Sequence, residues 1–314
     1  MLRATGLRVL AMIPLVFLVA TATFFLGQLS TVDPAEIIVG PTATAEQVAA
    51  VRAEHGLDRP AVVQYVDWLA GAVRGDMGES VYTGASVTTS LVQALPVTLS
   101  LALGGLFVGL LLGVPTGIWS ALRAGRPADR AVSLVATVGQ AVPNFWLGLL
   151  LVLAFAIQLP IFPAVGYVAL DEDPVAWAQS LVLPSISLGF VAAAAISRQT
   201  RSSLIGVLQQ EYVRTALSKG LSTSRVVVKH ALKNAGAPVV TVVAFQVTAL
   251  LSGSVVIERL FAMPGLGALA IDAVLRRDPD VIQGIVVVSV VIVVVVNLVL
   301  DLSYAWLNPK VRTA

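Results

Sequence analysis

Residues 211–238 read EYVRTALSKGLSTSRVVVKHALKNAGAP, the one long polar stretch after residue 202 that sits between two apolar runs of membrane-spanning length. Five cations, Arg214, Lys219, Arg225, Lys229 and Lys233, stand against one acid, Glu211. Guanidinium and ammonium groups in that pattern bind anionic surfaces. Arg225, Lys229 and Lys233 recur every four residues and so stripe one face of a helix. An acidic protein surface or anionic lipid headgroups would both suit that stripe, and charge alone does not choose between them. Ala, Leu, Lys and Arg favour helix, while Gly220-Leu221-Ser222 joins a C-terminal Gly stop to a new N-cap. The segment is expected to form two short helices about a Gly hinge, a shape on which a soluble partner can push or pull.

Other chemistry is missing from the chain. No G-x-x-x-x-G-K-[ST] occurs to cradle nucleotide phosphates, and Gly84-Ala85-Ser86 and Gly253-Ser254 lack the Lys that such a loop requires. No G-x-S-x-G or H-E-x-x-H is present. There is no cysteine, and His55 and His230 are the two histidines, so thiolate and His-rich metal sites are excluded. His230, without a second ligand nearby, reads as a helix-surface residue. No catalytic residue and no metal ligand is assigned.

The elements that must position the 211–238 segment are membrane helices. Hydrophobic residues make up 57% of the chain and charged ones 12%, against roughly 25% charged in soluble domains. Apolar runs fall at Val9–Leu29, Pro96–Leu122, Ala131–Ile157, Leu181–Ile196, Val239–Ile257 and Gln283–Tyr304. Six spans are expected, the fourth being short before Arg198 and open to an earlier start near Trp177. Arg3, Arg8, Arg123, Arg126, Arg130, the basic 198–233 stretch, Lys310 and Arg312 fall on one face of that topology. Most acids fall on the other, from Asp33 and Glu36 through Asp171–Asp173 to Glu258 and Asp280. The excess of cations places both termini in the cytoplasm.

Ala20-Thr21-Ala22 resembles a signal-peptide cleavage site, but the apolar run continues through Phe24-Phe25-Leu26, so residues 1–30 are read as a cytoplasmic N-terminus and a retained first helix. Residues 31–95 form an extracytoplasmic segment with helical patterns at Thr44–Glu54 and Ala61–Val73, and residues 96–314 a five-helix core with a cytoplasmic loop at 202–236. Pro264-Gly265-Leu266-Gly267 marks a turn before an amphipathic stretch to Arg277. Pro96, Pro115, Pro143 and Pro184 are candidate kinks. Gly104, Gly105, Gly109, Gly113 and Ala192–Ala195 suit close helix packing. Arg198, Arg201 and Asp301 sit near span ends, where they can snorkel to water, and no ionisable relay is visible in the apolar core.

The residues also carry a resemblance. Glu211, Tyr212, Val213, Arg214, Thr215, Ala216, Lys219, Gly220 and Leu221, followed by His230, Leu232, Lys233, Asn234, Pro238 and Val239, resemble the cytoplasmic "EAA" loop of permease subunits of binding-protein-dependent ABC importers, in its dipeptide, oligopeptide and nickel branch. Gly56-Leu57-Asp58, Gly75-Asp76-Met77-Gly78-Glu79-Ser80, Leu95-Pro96-Val97-Thr98, Val142–Gly148, Leu183-Pro184, Glu258 with Phe261, Pro264–Gly267, Asp301-Leu302, Tyr304 and Asn308–Arg312 extend the match nearly end to end. Arg214-Thr215-Ala216 stands where the general loop has Glu-Ala-Ala.

The resemblance implies an all-α, six-helix type I importer permease with a small extracytoplasmic helical segment, in a bacterial cytoplasmic membrane. It implies no enzymatic activity and no cofactor in this chain, ATP and Mg being bound by partner ATPase subunits. Expected partners are a homologous second permease, two ATPase subunits or one fused pair, an extracytoplasmic substrate-binding protein and membrane lipid, with no nucleic acid. Glu211–Leu221 is the expected ATPase-coupling helix. Peptide is the expected cargo and nickel the alternative. A carrier driven by an ion gradient and a non-transporting scaffold are the rival classes.

Overall fold

The computed structural model describes residues 2–29, 33–40 and 42–307, with backbone alone for 2–9, 11 and 300–307. Asn308, Pro309, Lys310, Val311 and Arg312, used above for the charge map and the resemblance, lie outside the described residues. The chain runs through α1 (Leu2–Gln28), α2 (Pro34–Val39), α3 (Ala45–Glu54), α4 (Ala61–Val73), α5 (Val87–Leu122), α6 (Pro127–Ala141) and α7 (Asn144–Val152). A π-helical turn, Leu153–Gln158, extends α7, and α8 (Pro174–Leu208) and α9 (Glu211–Ser218) follow. Then come α10 (Thr223–Val226), a π segment (Val227–Ala231) that leads into α11 (Leu232–Leu260), α12 (Leu266–Arg276) and α13 (Pro279–Leu307).

Among the described residues, four helices are long and apolar enough to cross a membrane: α5, α8, the continuous helix Thr223–Leu260, and α13 over Pro279–Val299. A fifth arises if α6 and α7 count as one span, although the two halves meet at 98°. The sequence expects a single run over Ala131–Ile157. Pro143 breaks it, because its ring lacks an N–H and drives Val142 into extended backbone (φ −77°, ψ 124°). The described apolar part of α1, Met12–Gln28, is shorter than the other spans. The fourth span starts well before Leu181: Asp173 accepts the amides of Val175 and Ala176 and caps a helix that Pro174 opens.

The chain divides into two compact units, residues 1–96 with 265–295 and residues 97–264 with 296–314. In the first, α2 and α3 are set by their caps. Asp33 accepts the Ala35 amide at 2.9 Å and pairs with Arg52 of α3. That guanidinium, with the Ala35 N–H, holds the Asp33 carboxyl below the usual carboxylate range. Thr44 and Gln47 exchange side-chain and backbone hydrogen bonds in a capping box at the start of α3. Pro60 opens α4, matching the helical patterns expected there. Val87, Leu91 and Ala94 of α5 meet Leu266 and Ala273 of α12 and Val281 and Ile285 of α13 in this unit's core. The Ala20 carbonyl, inside the would-be cleavage site, accepts from the buried Gln283 amide at 2.8 Å.

The second unit is organised by α8. In its most apolar window 72% is buried inside the chain, against 17% for the Thr223–Leu260 helix. Val97 and Leu101 of α5, Leu183, Leu188 and Ala192 of α8, and Leu250 and Ile257 of α11 form its main core. Lipid is as apolar as these side chains, so close packing must hold the helices together. Gly105, Gly109, Gly113 and Gly117 recur every four residues on α5 and lie on α8 at Leu188, Ala192, Ala193, Ile196, Ser197 and Thr200. A methyl group at Gly113 would stand 2.7 Å from the Ala193 carbonyl oxygen and 2.9 Å from Ile196 Cβ.

Gly113→Ala is therefore expected to cost about 1–3 kcal/mol through overpacking. Gly206→Ala, in α8 with open space around it, should stabilise by roughly 0.5–1 kcal/mol. Thermal unfolding of the solubilised transporter followed by size exclusion would check both, and equal behaviour of the two variants would contradict the packing described.

Candidate functional site

The 211–238 segment folds as two helical pieces about a turn at Gly220. In α9 the buried residue is Val213, at no measurable exposure. It anchors the helix while Glu211, Tyr212, Arg214, Thr215, Leu217, Ser218 and Lys219 stay exposed and Ala216 and Leu221 are half-buried. Of the residues assigned to coupling, Val213 thus seats the helix and the others form or border its free surface. Leu217 adds an apolar spot, 43% exposed, to an otherwise polar face.

Gly220 ends α9 with φ of +81°. Its amide reaches the Leu217 carbonyl at 2.9 Å, and the Leu221 amide reaches the Ala216 carbonyl at 3.4 Å. These are the two hydrogen bonds of a Schellman stop, which needs a left-handed residue where glycine alone pays no Cβ penalty. Nothing lies within 4 Å of where a side chain would project, so backbone conformation, not crowding, selects glycine here.

The second piece does not stop at residue 236, where the expected cytoplasmic loop ends. It continues through the π segment into α11, so Thr223–Leu260 is one helix. Val226, Val227 and Ala231 are buried, and Val227, Ala231 and Ala235 pack with Ala121 of α5 and Leu204 of α8. Arg225, Lys229 and Lys233 are all exposed, as their spacing anticipates. The Asn234 amide donates to the Tyr212 hydroxyl at 2.7 Å, which ties the start of α9 to the start of α11. His230 lies in the π segment, where its carbonyl accepts from Asn234. Among the described residues no group of three or more His, Asp or Glu gathers as a metal site would require.

Two residues, Gln209 and Gln210, separate α9 from α8. About two turns before that junction lies a polar cluster that the sequence does not announce. Asp129 in the first turn of α6 is 2% exposed and takes a bidentate pair from Arg201 of α8, Nε and Nη2 at 2.6 and 2.7 Å. Ser120 Oγ of α5 and the Gly125 amide complete its shell. Arg201 is thus the internal partner of Asp129 while part of its side chain stays exposed, and Arg198 beside it donates to Gln140 of α6. Asp129 looks like an ordinary first-turn helix acid; only the approach of α8 reveals its partner. Glu258, expected among the acids of the outer face, is fully buried in α11 and accepts from Thr98 at 2.8 Å and Ser254 at 3.0 Å.

Comparison with known proteins now gives this geometry a family. Residues 113–313 match the model for the binding-protein-dependent transport system inner membrane component, and residues 1–102 match the N-terminal model for membrane components of the same systems. The chain belongs to this family and is a permease subunit of an ABC importer, whose ATP hydrolysis lies with partner ATPases. It is 38% identical over 305 residues to the "Probable peptide ABC transporter permease protein y4tP" of Sinorhizobium fredii, covering 97% of each chain. It is 38% identical, with the same coverage, to the glutathione transport system permease protein GsiC of Escherichia coli K12. Its fold is similar to a chain of the inward-facing MetNI methionine ABC transporter, with a TM-score of 0.58 and 17% identity over 69% of this chain and 96% of that one.

The exposures at the clamp differ, and that yields an asymmetric expectation. Arg201→Met strands a buried carboxylate and should cost about 3–5 kcal/mol. Asp129→Asn leaves a guanidinium whose side chain is 32% exposed and can reach water, so its cost should be nearer 1–3 kcal/mol. Thermal unfolding of the assembled transporter would measure both; a milder Arg201→Met would show that the carboxylate is hydrated.

Proposed function

We propose that this chain is the first of two homologous permeases in a peptide importer, with six spans and both termini in the cytoplasm. Dipeptides or oligopeptides would arrive from an extracytoplasmic binding protein. The names of the relatives, which concern peptide and glutathione transport, support peptide-like cargo. Helix α9 would seat in a groove of one ATPase. The observation that carries this reading is the exposed polar face of α9, pinned at one end by Val213 and at the other by the Gly220 stop, two residues from the most buried helix of its unit.

Closure of the ATPases on ATP would then drag α9, and α8 would move with it. The Arg201–Asp129 pair and the glycine contacts would carry α5 and α6 along, while Tyr212–Asn234 and the Gly220 turn would carry α11. Interfaces packed this closely move as rigid bodies, which suits a cavity that opens to one side and then the other. The energy comes from the different affinity of the two states for nucleotide. No step requires a reactive group in this chain.

Gly220→Val forces a β-branched residue into left-handed backbone, at roughly 1–2 kcal/mol or more, and should leave the subunit in the membrane while substrate-stimulated ATP hydrolysis and uptake fall at least several-fold. Gly220→Asn, which tolerates that conformation, should retain most activity. Wild-type transport in the Val variant would remove the hinge from the mechanism. Uptake that survives ATP depletion but collapses with an uncoupler would replace the importer with an ion-driven carrier. Mass spectrometry of the ligand held by the cognate binding protein would read peptide, as proposed, or nickel, which would overturn the cargo assignment.

A further inference from the structure

The sequence assigns residues 31–95 to an aqueous segment outside the membrane, but the packing of α4 sets it in different surroundings. Tyr65 is the buried residue of α4. Its ring centroid lies 6.2, 5.2 and 5.8 Å from those of Phe17, Phe24 and Phe25 of α1. Its hydroxyl shares a 2.6 Å hydrogen bond with Thr21. All four partners belong to the apolar part of α1, which ends at Gln28. At 1.5 Å per residue, Phe25 and Phe17 stand about 5 and 16 Å back from that end. Half of a hydrocarbon core is about 15 Å. Tyr65 therefore touches α1 at depths that water does not reach when α1 crosses a bilayer.

We infer that α4 lies within the outer half of the bilayer alongside α1, with Val62, Val66, Leu69 and Val73 against lipid acyl chains. These four recur at i, i+4, i+7 and i+11 and form one stripe. Val62, Val66 and Val73 are 61%, 55% and 82% exposed, so nothing among the described residues covers them. The stripe carries aliphatic side chains alone, and α1 likewise exposes Leu15, Leu18 and Leu26. The opposite face bears Gln64 and Asp67. Gln64 donates to the carbonyls of Leu57 and Arg59, and Asp67 pairs with Arg59 at 2.6 Å. That polar side is stitched to the chain just before the helix, leaving the aliphatic side for lipid, the division found in helices that lie in a membrane without spanning it. Acyl chain is the occupant that fits both the depth and the chemistry.

This inference rests on α1 being a span, so its test must report on α1 as well. The chain has no cysteine, and Val66→Cys, Asp67→Cys and Leu18→Cys can each be made singly in the full transporter, labelled with bimane and reconstituted in phosphatidylcholine vesicles. Lipids carrying a doxyl group on the acyl chain should quench the labels at 66 and 18 several-fold more than aqueous iodide does, and iodide should prevail at 67. Iodide quenching at 66 with lipid quenching at 18 would put α4 in water and overturn the inference alone. A label at 66 reached by neither quencher would mean a protein covers the stripe, and would overturn it too. Iodide quenching at 18 would instead remove α1 from the bilayer, defeating the six-span reading together with this one.

Discussion

Inside a bilayer two apolar helices gain nothing by hiding from solvent, because the lipid around them is as apolar as leucine. What remains is the number of atoms brought within van der Waals range, and that depends on how near two backbones can come. The glycine ladder of α5 lets it lie against α8 with Gly189, Ala192 and Ala193 opposite. The buried state of α8 follows from this approach, together with Gly139 of α6 against Phe190 and Gly148 of α7 beside Ser187. A helix enclosed on several sides by close contacts cannot tilt by itself. Its neighbours must move when it moves.

The end of α8 nearest α9 is secured differently. There Arg201 and Arg198 reach polar groups of α6, and Asp129 gathers donors from α5, the following turn and α8. A buried ion pair contributes little net stability once desolvation is counted, but it is costly to leave half-made. Such a pair therefore acts as a register pin: it permits one arrangement of α8 against α6 and penalises sliding. Directional polar contacts sit where a load from α9 would enter, and non-directional packing lies further along α8.

Helix α9 is too short to be stable by itself. It persists because Val213 is buried, because Gly220 satisfies its last carbonyls, and because Tyr212 is held by Asn234. Each device works at the ends or on the underside and leaves the outer face unengaged. That division between an anchored side and a free side supports the proposed docking role more than charge does, since exposed cations serve lipid and protein alike.

Much of this was legible in the chain alone. The membrane class follows from composition, the helices at 45–54 and 61–73 from their local patterns, and the Gly220 stop from the residues on either side, because helix periodicity, caps and turns lie within a few positions. The glycine spacing on α5 announced a close neighbour without saying which one. Three findings needed the tertiary structure: the sharp break at Val142-Pro143, the continuity of residues 223–260, and the pairing of Asp129 with Arg201 across 72 positions. A proline bends a helix or ends it according to whether neighbours can satisfy the freed carbonyls, and a carboxylate meets its cation only where packing brings two helices together. Local sequence determines where the backbone can turn and stop; which charges and glycines meet is decided by helices far apart in the chain.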